Sequence, residues 1–171
     1  MNIDDCGIKQ VTMTIDNIGL FLEKIRTIGK ESHTHVIIFN AELMAGMAHV
    51  TAALFHAIRA DSEGRRISRS LEMESLLYAS GSRQCVDGML FGVHKERNFA
   101  YLCLCPWRDG AWDTLSKIMS PCEGEWDTIS GKKAILLMKL FGISREELDV
   151  SGRQKIKDLV LERVALLDVS R

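Results

Sequence analysis

The sequence predicts a single domain over residues 1–171, of the α/β class or the related α+β class, with a small central β-sheet covered by many helices. Hydrophobic residues make up 46% of the chain, and it contains only two prolines, which is typical of a chain that buries a core and forms uninterrupted helices. Short apolar runs alternate with longer segments in which apolar residues recur every three or four positions. The runs predict strands and the longer segments predict helices, so we expect about three to five strands in one sheet.

Three segments carry the strand pattern. Residues 11–15 read VTMTI and precede Asp16 and Asn17, either of which can cap the helix that follows. Residues 35–39, HVIIF, and residues 98–105, NFAYLCLC, are apolar on both faces, which predicts that 35–39 is a central strand. The helix between the first two strands is long enough for a right-handed βαβ crossover, while the strand directions stay open.

Several helices are expected between the second and third strands. The first has an apolar stripe at helical spacing, formed by Leu43, Met47, Val50, Leu54 and Ile58. The next begins at Ser68 or Ser70, and a short helix follows over residues 84–91.

An arginine-rich turn, here called the arginine elbow, joins the first two of these helices. It spans residues 59–69, and its cations are Arg59, Arg65, Arg66 and Arg69, with Arg83 following after the next helix. Asp61 and Glu63 offset part of this charge, so a solvated turn without a ligand is the alternative interpretation.

The elbow has the chemistry of a local anion site. Guanidinium groups bind phosphate oxygens in a bidentate manner, and Ser68, Ser70 and the amides at the start of a helix would add donors. The formal net charge is −1, so the chain cannot follow the many phosphates of a long duplex. A flexible single-stranded end is therefore the better predicted ligand, and DNA is not expected.

The C-terminal third predicts three more helices. One covers residues 134–141 with Gly142 as its left-handed cap, and Ser144 with Glu147 forms a capping-box pattern at the start of the next. The last helix runs into the tail, and it leaves more apolar surface than one stripe requires. This surface is a candidate docking site, formed by Val160, Val164, Leu166 and Leu167. Two alternatives remain: these residues cap the domain's own core, or docking uses the exposed edge of the 43–58 helix.

Patterns for metal, nucleotide and covalent chemistry are missing from the sequence. His33, His35, His49 and His56 are not accompanied by HExxH or Cys-x-x-Cys, so we expect no metal site. There is no phosphate loop and no nucleophile elbow, so neither a cofactor nor an independent catalytic activity is expected. Two other hypotheses remain: a free-standing enzyme or small-ligand domain that uses Cys85, Cys103 or His49, and a simple dimeric interaction module.

The sequence also predicts a cytoplasmic protein. No apolar run approaches the ~20 residues that span a bilayer, and the N-terminal MNIDDCGIKQ is acidic and polar rather than signal-like. The five cysteines have no framework spacing, so we expect reduced thiols, with Cys103 and Cys105 as small core residues.

The segment from 40 to 84 resembles a known family. The matching pieces are NAELMAG at 40–46, His49, AIRA at 57–60, ISRSL at 67–71, Glu74 and LLYASGSRQ at 76–84. Together they are similar to the small subunit of the KEOPS (EKC) complex, the PRPK-binding protein family, in a form that looks archaeal. Outside this segment the resemblance covers only element order and hydrophobic character.

The resemblance implies a function that the spacing alone does not. Members of that family are non-catalytic, bind the PRPK-type atypical kinase/ATPase of KEOPS, and through it meet the subunit that transfers threonylcarbamoyl to tRNA. They also bind the single-stranded 3′ CCA end of tRNA. The resemblance therefore assigns tRNA binding to Arg59, Arg65, Arg66, Ser68 and Arg83.

Overall fold

The computed structural model describes residues 1–152 and 155–169, which form a mixed α/β domain. A short 3₁₀ turn, Ile3–Asp5, precedes the first strand. The strands are β1 (Gly7–Ile15), β2 (His35–Asn40), β3 (Glu96–Cys105) and β4 (Ser120–Pro121). The helices are α1 (Ile18–Glu31), α2 (Met47–Ser62), α3 (Leu71–Ser80), α4 (Cys85–Leu90), α5 (Asp109–Leu115), α6 (Gly131–Phe141), α7 (Arg145–Ser151) and α8 (Ile156–Val169). The mixed α/β class with a small sheet is confirmed.

The sheet has the strand order β2-β3-β1-β4, and every neighbouring pair is antiparallel. Strands β1 and β2 both run against β3, so they point the same way with β3 inserted between them. The β1–α1–β2 connection is therefore a split βαβ unit rather than a pairing of adjacent parallel strands. The prediction that residues 35–39 form a central strand was wrong, because β2 lies at an edge and β3 is central.

Strand β2 is apolar on both faces because helices cover both faces of the sheet. Ile37 and Phe39 belong to one core cluster, which also contains the buried side chains of α2, α3 and α8. Val36 and Ile38 point the other way, into a second cluster with α1 and α5. Burial on both faces thus predicts coverage by helices, but it does not predict position in the sheet.

Helix starts and ends follow the predicted local chemistry. Asn17 accepts a hydrogen bond from the Leu20 amide at the start of α1, and Ser70 accepts one from the Met73 amide at the start of α3. Ser144 and Glu147 form the reciprocal capping box of α7, and Gly142 ends α6 with φ of 59°. These predictions are confirmed, since caps depend on residues only three or four positions apart.

Helix α2 begins later than the apolar stripe indicated. Gly46 has φ of 90°, a conformation that favours glycine, and the Met47 amide donates a 2.8 Å hydrogen bond to Asp127 Oδ1. A Cβ on Gly46 would collide with the same carboxylate. Leu43 therefore lies in the preceding turn, and a residue far along the chain caps the helix from outside.

The C-terminal segment differs from expectation, and the segment 107–128, for which the sequence made no clear prediction, contains two short elements. Helix α8 continues through most of the predicted tail to Val169; Ser170 and Arg171, the last tail residues, lie outside the described part. The segment 107–128 contains α5 and the two-residue strand β4. Trp126 packs edge-on against Tyr101 with ring centroids 5.0 Å apart, so this tryptophan anchors its loop to the sheet.

Two cysteines pair across the sheet, contrary to the prediction of reduced thiols throughout. Cys6 and Cys105 form a disulfide, with Cα atoms 4.3 Å apart. The β1–β3 register explains the pairing, because Gly7 faces Leu104 and the next pair of residues is Cys6 and Cys105. Cys103 is buried as predicted, with its thiol free.

Candidate anion-binding elbow and apolar surface

The arginine elbow begins at the C-terminal end of helix α2, where the chain makes a tight turn. Gly64 adopts the left-handed conformation with φ of 65°, and the Arg65 amide returns to the Ala60 carbonyl at 2.8 Å. This turn reverses the chain within a few residues. It holds Arg65 beside Arg59, because both guanidinium groups reach the same carboxylate.

That carboxylate belongs to Asp168, near the C-terminal end of α8. Its Oδ2 accepts hydrogen bonds from Arg59 Nη2 at 2.7 Å and from His56 Nδ1 at 2.6 Å. Its Oδ1 accepts from the Tyr78 hydroxyl and lies 3.8 Å from Arg65 Nη1. The side chain is only 7% exposed, so Asp168 is a buried anion held by groups from α2, α3 and the elbow.

The electrostatics of Asp168 reflect this enclosure. Burial acts to raise its pKa, but the hydrogen bonds from Tyr78 and His56 and the charge of Arg59 outweigh burial. The pKa of Asp168 therefore lies below its ordinary value, and the residue is ionised at neutral pH.

The other arginines of the elbow also have acidic neighbours. Arg65 pairs with Glu63, and Arg66 Nε lies 3.1 Å from Asp61 Oδ1. The offset by Asp61 and Glu63 noted in the sequence is thus realised as direct ion pairs. Three of the predicted tRNA-binding residues, Arg59, Arg65 and Arg66, come together, but as parts of ion pairs rather than as an open basic patch.

The stretch just before α3 holds a buried carboxylate that occupies several donors. The carboxylate of Glu74, which is fully buried, accepts hydrogen bonds from the amides of Ile67 and Ser68 at 2.9 and 2.8 Å. The Ser68 hydroxyl donates to the Ser70 carbonyl. These two amides and the Ser68 hydroxyl therefore make hydrogen bonds within the chain, in the stretch just before α3.

Two arginines remain turned outward. Arg69 and Arg83 are exposed, and neither forms an ion pair with another of the described residues. Arg83 follows Gly81, which ends α3 in the left-handed conformation, and directly precedes Gln84, the N-cap of α4. Their charges are the least offset of the cations that the sequence singled out.

The predicted docking residues of the last helix divide into two kinds. Val160, Val164 and Leu167 are buried in the main core cluster, so they cap the domain's own core, and their assignment to a docking surface is corrected. Of the four, Leu166 alone is exposed, at 44% of the residue's reference surface.

Helix α4 adds exposed apolar side chains near Leu166. Val86, Met89 and Leu90 are 74%, 61% and 56% exposed, and Leu90 and Leu166 line the same cleft of about 320 Å³. We call these four residues the apolar surface. The sequence analysis missed the α4 residues, because a six-residue helix is too short for its exposed face to be read from periodicity.

Two of the residues singled out for chemistry, His49 and Cys103, have structural roles, whereas Cys85 is a free, exposed thiol. His49 is fully buried; its Nδ1 accepts the Ala45 amide and its Nε2 donates to the Ala79 carbonyl. Burial lowers the pKa of His49 to about 4, and burial raises the pKa of the Cys103 thiol. A neutral, fully bonded imidazole and a protonated buried thiol are both poorly suited to nucleophilic chemistry.

None of the described helices is long and apolar enough to cross a bilayer. Within residues 1–152 and 155–169, no group of three or more histidine, cysteine or acidic side chains is arranged to hold a metal ion.

The described residues thus form a mixed α/β domain with an ion-paired arginine elbow and an exposed apolar surface. Comparison with known proteins shows which family has this domain. Residues 14–168 match the family model described as kinase binding protein CGI-121, and the chain belongs to that family. A curated relative, "Regulatory protein Cgi121" of Methanocaldococcus jannaschii, is 29% identical over 138 residues, which are 78% of this chain and 83% of the relative.

Proposed function

We propose that this chain is a non-catalytic subunit of the KEOPS complex, which makes threonylcarbamoyladenosine in tRNA. In this role it binds the PRPK-type kinase/ATPase, and through that partner it meets the threonylcarbamoyl transferase subunit. It also recruits tRNA through the 3′ CCA end, in the cytoplasm of an archaeon. Membership of the kinase-binding family carries the proposal, and the resemblance of residues 40–84 to the KEOPS small subunit extends it to tRNA.

The kinase is proposed to dock on the apolar surface. Large exposed apolar side chains that gather in one place on a protein surface are typical of a contact site. Leu166 and Leu90 border one cleft, and Val86 and Met89 extend the surface along α4. Burying a side chain of this size on docking is worth about 2 kcal/mol, so one charge placed here disrupts binding.

Co-purification with a PRPK-type kinase tests this half of the proposal. We expect the wild-type chain to form a stoichiometric complex on gel filtration and Met89→Glu to lose it. Val150→Glu is the matched control, because Val150 is 90% exposed on α7 and lies outside the apolar surface. Retention of the kinase by Met89→Glu would count against the proposal. Formation of a homodimer by the wild-type chain without kinase binding would also count against it, and would favour the simple dimeric interaction module.

The tRNA end is proposed to bind at the arginine elbow and Arg83. Guanidinium groups that are partly exposed can turn to phosphate oxygens, and Arg69 and Arg83 are exposed without an acidic partner among the described residues. Each phosphate contact made by an arginine makes binding more sensitive to salt.

Filter binding with intact tRNA and with tRNA that lacks CCA tests this second half. We expect the truncated RNA to bind at least about tenfold more weakly, since several phosphate and base contacts disappear together. Arg83→Gln should weaken binding of intact tRNA, whereas the control Arg26→Gln, on the exposed side of α1, should not. Equal binding of the two RNAs would contradict the CCA assignment.

A further inference from the structure

The arginine elbow already contains an anion, and that anion belongs to the protein itself. The Asp168 carboxylate occupies the place between Arg59 Nη2 and Arg65 Nη1 that a phosphate oxygen would take, at 2.7 and 3.8 Å. Asp168 comes from the last turn of α8, whereas the two arginines come from α2 and the turn after it. A ligand anion at these two arginines therefore competes with Asp168. It also meets Glu63, a more exposed carboxylate of the elbow that pairs with Arg65 and lies 3.9 Å from Arg59 Nε.

The arginines are the parts that can move. Both guanidinium side chains are about 40% exposed, while Asp168 is almost buried and keeps hydrogen bonds from Tyr78 and His56. A long, partly exposed arginine can turn outward at little cost, whereas the carboxylate is anchored by its other donors. Once the arginines turn away, however, a buried carboxylate loses its closest permanent cations, which makes its burial unfavourable.

We propose that Asp168 is the resident anion of the arginine elbow, and that a phosphate bound by Arg59 and Arg65 displaces it and loosens the last turn of helix α8. This turn also carries Leu166 of the apolar surface. Anion binding at the elbow and docking at the C-terminal helix are thus coupled through one carboxylate. The proposal deepens the proposed function and rests on it only in naming an RNA phosphate as the natural anion.

The coupling has a definite sign. An anion at the elbow favours the state in which Asp168 is released, whereas a protein that holds α8 in place favours the state in which Asp168 occupies the elbow. Because linkage is reciprocal, a partner seated on Leu166 weakens anion binding by the same factor by which the anion weakens that partner's binding. Asp168 thereby keeps the elbow closed to weak anions such as free phosphate.

Calorimetric titration with inorganic tripolyphosphate at low ionic strength tests the competition directly. We expect Asp168→Asn to bind tripolyphosphate at least about fivefold more tightly than wild type, the lower end of typical coupling factors. The matched control is Asp158→Asn, which makes the same charge change at an exposed position of the same helix. The gain should disappear in the double variant Arg59→Gln with Asp168→Asn.

Hydrogen exchange in the wild-type protein supplies a second test that needs no variant. Saturating tripolyphosphate should speed amide exchange in residues 165–169 and leave the core strand β3 unchanged. Equal affinity of wild type and Asp168→Asn, an equal gain in Asp158→Asn, or no change in exchange at α8 would each overturn the proposal.

These tests distinguish a failure of the displacement proposal from a failure of the proposed tRNA-binding function. If tRNA binding depends on the arginines but tripolyphosphate neither binds more tightly to Asp168→Asn nor loosens α8, only the displacement proposal fails. If tripolyphosphate competes with Asp168 while tRNA binding is unaffected by the arginine variants, the anion site stands and the tRNA assignment fails.

Discussion

The arginine elbow and the apolar surface differ in how far their groups are satisfied within the molecule. At the elbow, Arg59, Arg65 and Arg66 each face a carboxylate of the same chain. At the apolar surface, Val86, Met89 and Leu90 are more than half exposed. A ligand at the elbow must therefore replace an internal partner, whereas a partner at the apolar surface only removes water from exposed side chains. We therefore expect the elbow to discriminate between ligands and the apolar surface to supply most of the affinity for its partner.

Adjacent residues of α8 give the strongest test of this comparison. Leu167→Ala should lower the free energy of unfolding by about 2–5 kcal/mol, because it leaves a cavity in the core, whereas Leu166→Ala should cost less than about 1 kcal/mol. Urea denaturation measures both. Similar losses for the two variants would show that Leu166 is part of the core and would remove it from the apolar surface.

The interior beneath the cleft should respond to acid. His49 packs against Phe91 and Phe141, which line the cleft, and its folded-state pKa is about 4. Because this pKa lies below the unfolded value of about 6.5, the unfolded chain takes up the proton first, and stability falls as the pH drops from 6.5 to 4. The loss approaches about 3 kcal/mol.

Denaturation at pH 7 and pH 4.5 measures this loss, and His49→Gln is the comparison. The variant should be less stable at pH 7 but should lose much less between the two pH values. An equally steep loss in the variant would assign the acid sensitivity to other groups.

A smaller effect of opposite sign is expected beside the elbow. His35 Nδ1 lies 2.7 Å from Glu72 Oε1, and the hydrogen bond to Glu72 raises the pKa of His35 against the effect of burial. The stabilisation is complete below the unfolded pKa of about 6.5 and is lost as the pH rises through the folded-state pKa. Since both side chains are well exposed, the effect stays below about 1 kcal/mol.

Thermal unfolding between pH 6 and pH 8.5 checks this prediction. Wild type should lose slightly more stability than His35→Gln over that range, and 0.5 M salt should reduce the difference by screening. A larger loss in His35→Gln would reverse the sign and contradict the assignment.

Local signals in the sequence predicted the fold class, the three main strands and most helix caps. These features depend on residues a few positions apart, as with Asn17 and Ser144. Sheet order was not predictable in the same way: β2 has the composition of a central strand but lies at the edge, because β3 enters between β1 and β2 later in the chain.

The sequence predicted the arginines of the elbow but not the carboxylate of the same chain that pairs with them. The cluster of arginines is visible in the sequence, whereas Asp168 lies 109 positions from Arg59 and reaches it only when α8 packs on α2. The Cys6–Cys105 disulfide likewise joins residues 99 positions apart through strand register. Contacts of this range follow from tertiary packing, which spacing along the chain does not encode.

We propose that the arginine elbow and the apolar surface serve different partners. A direct test measures the binding of a PRPK-type kinase and of intact tRNA to wild type, to Leu166→Glu and to the double variant Arg69→Gln with Arg83→Gln, which leaves the contacts of Asp168 intact. Leu166→Glu should lose the kinase by at least about tenfold and keep tRNA, and the arginine variant should do the reverse. Loss of both partners in either folded variant, or retention of both partners in both variants, would contradict this division between the two regions.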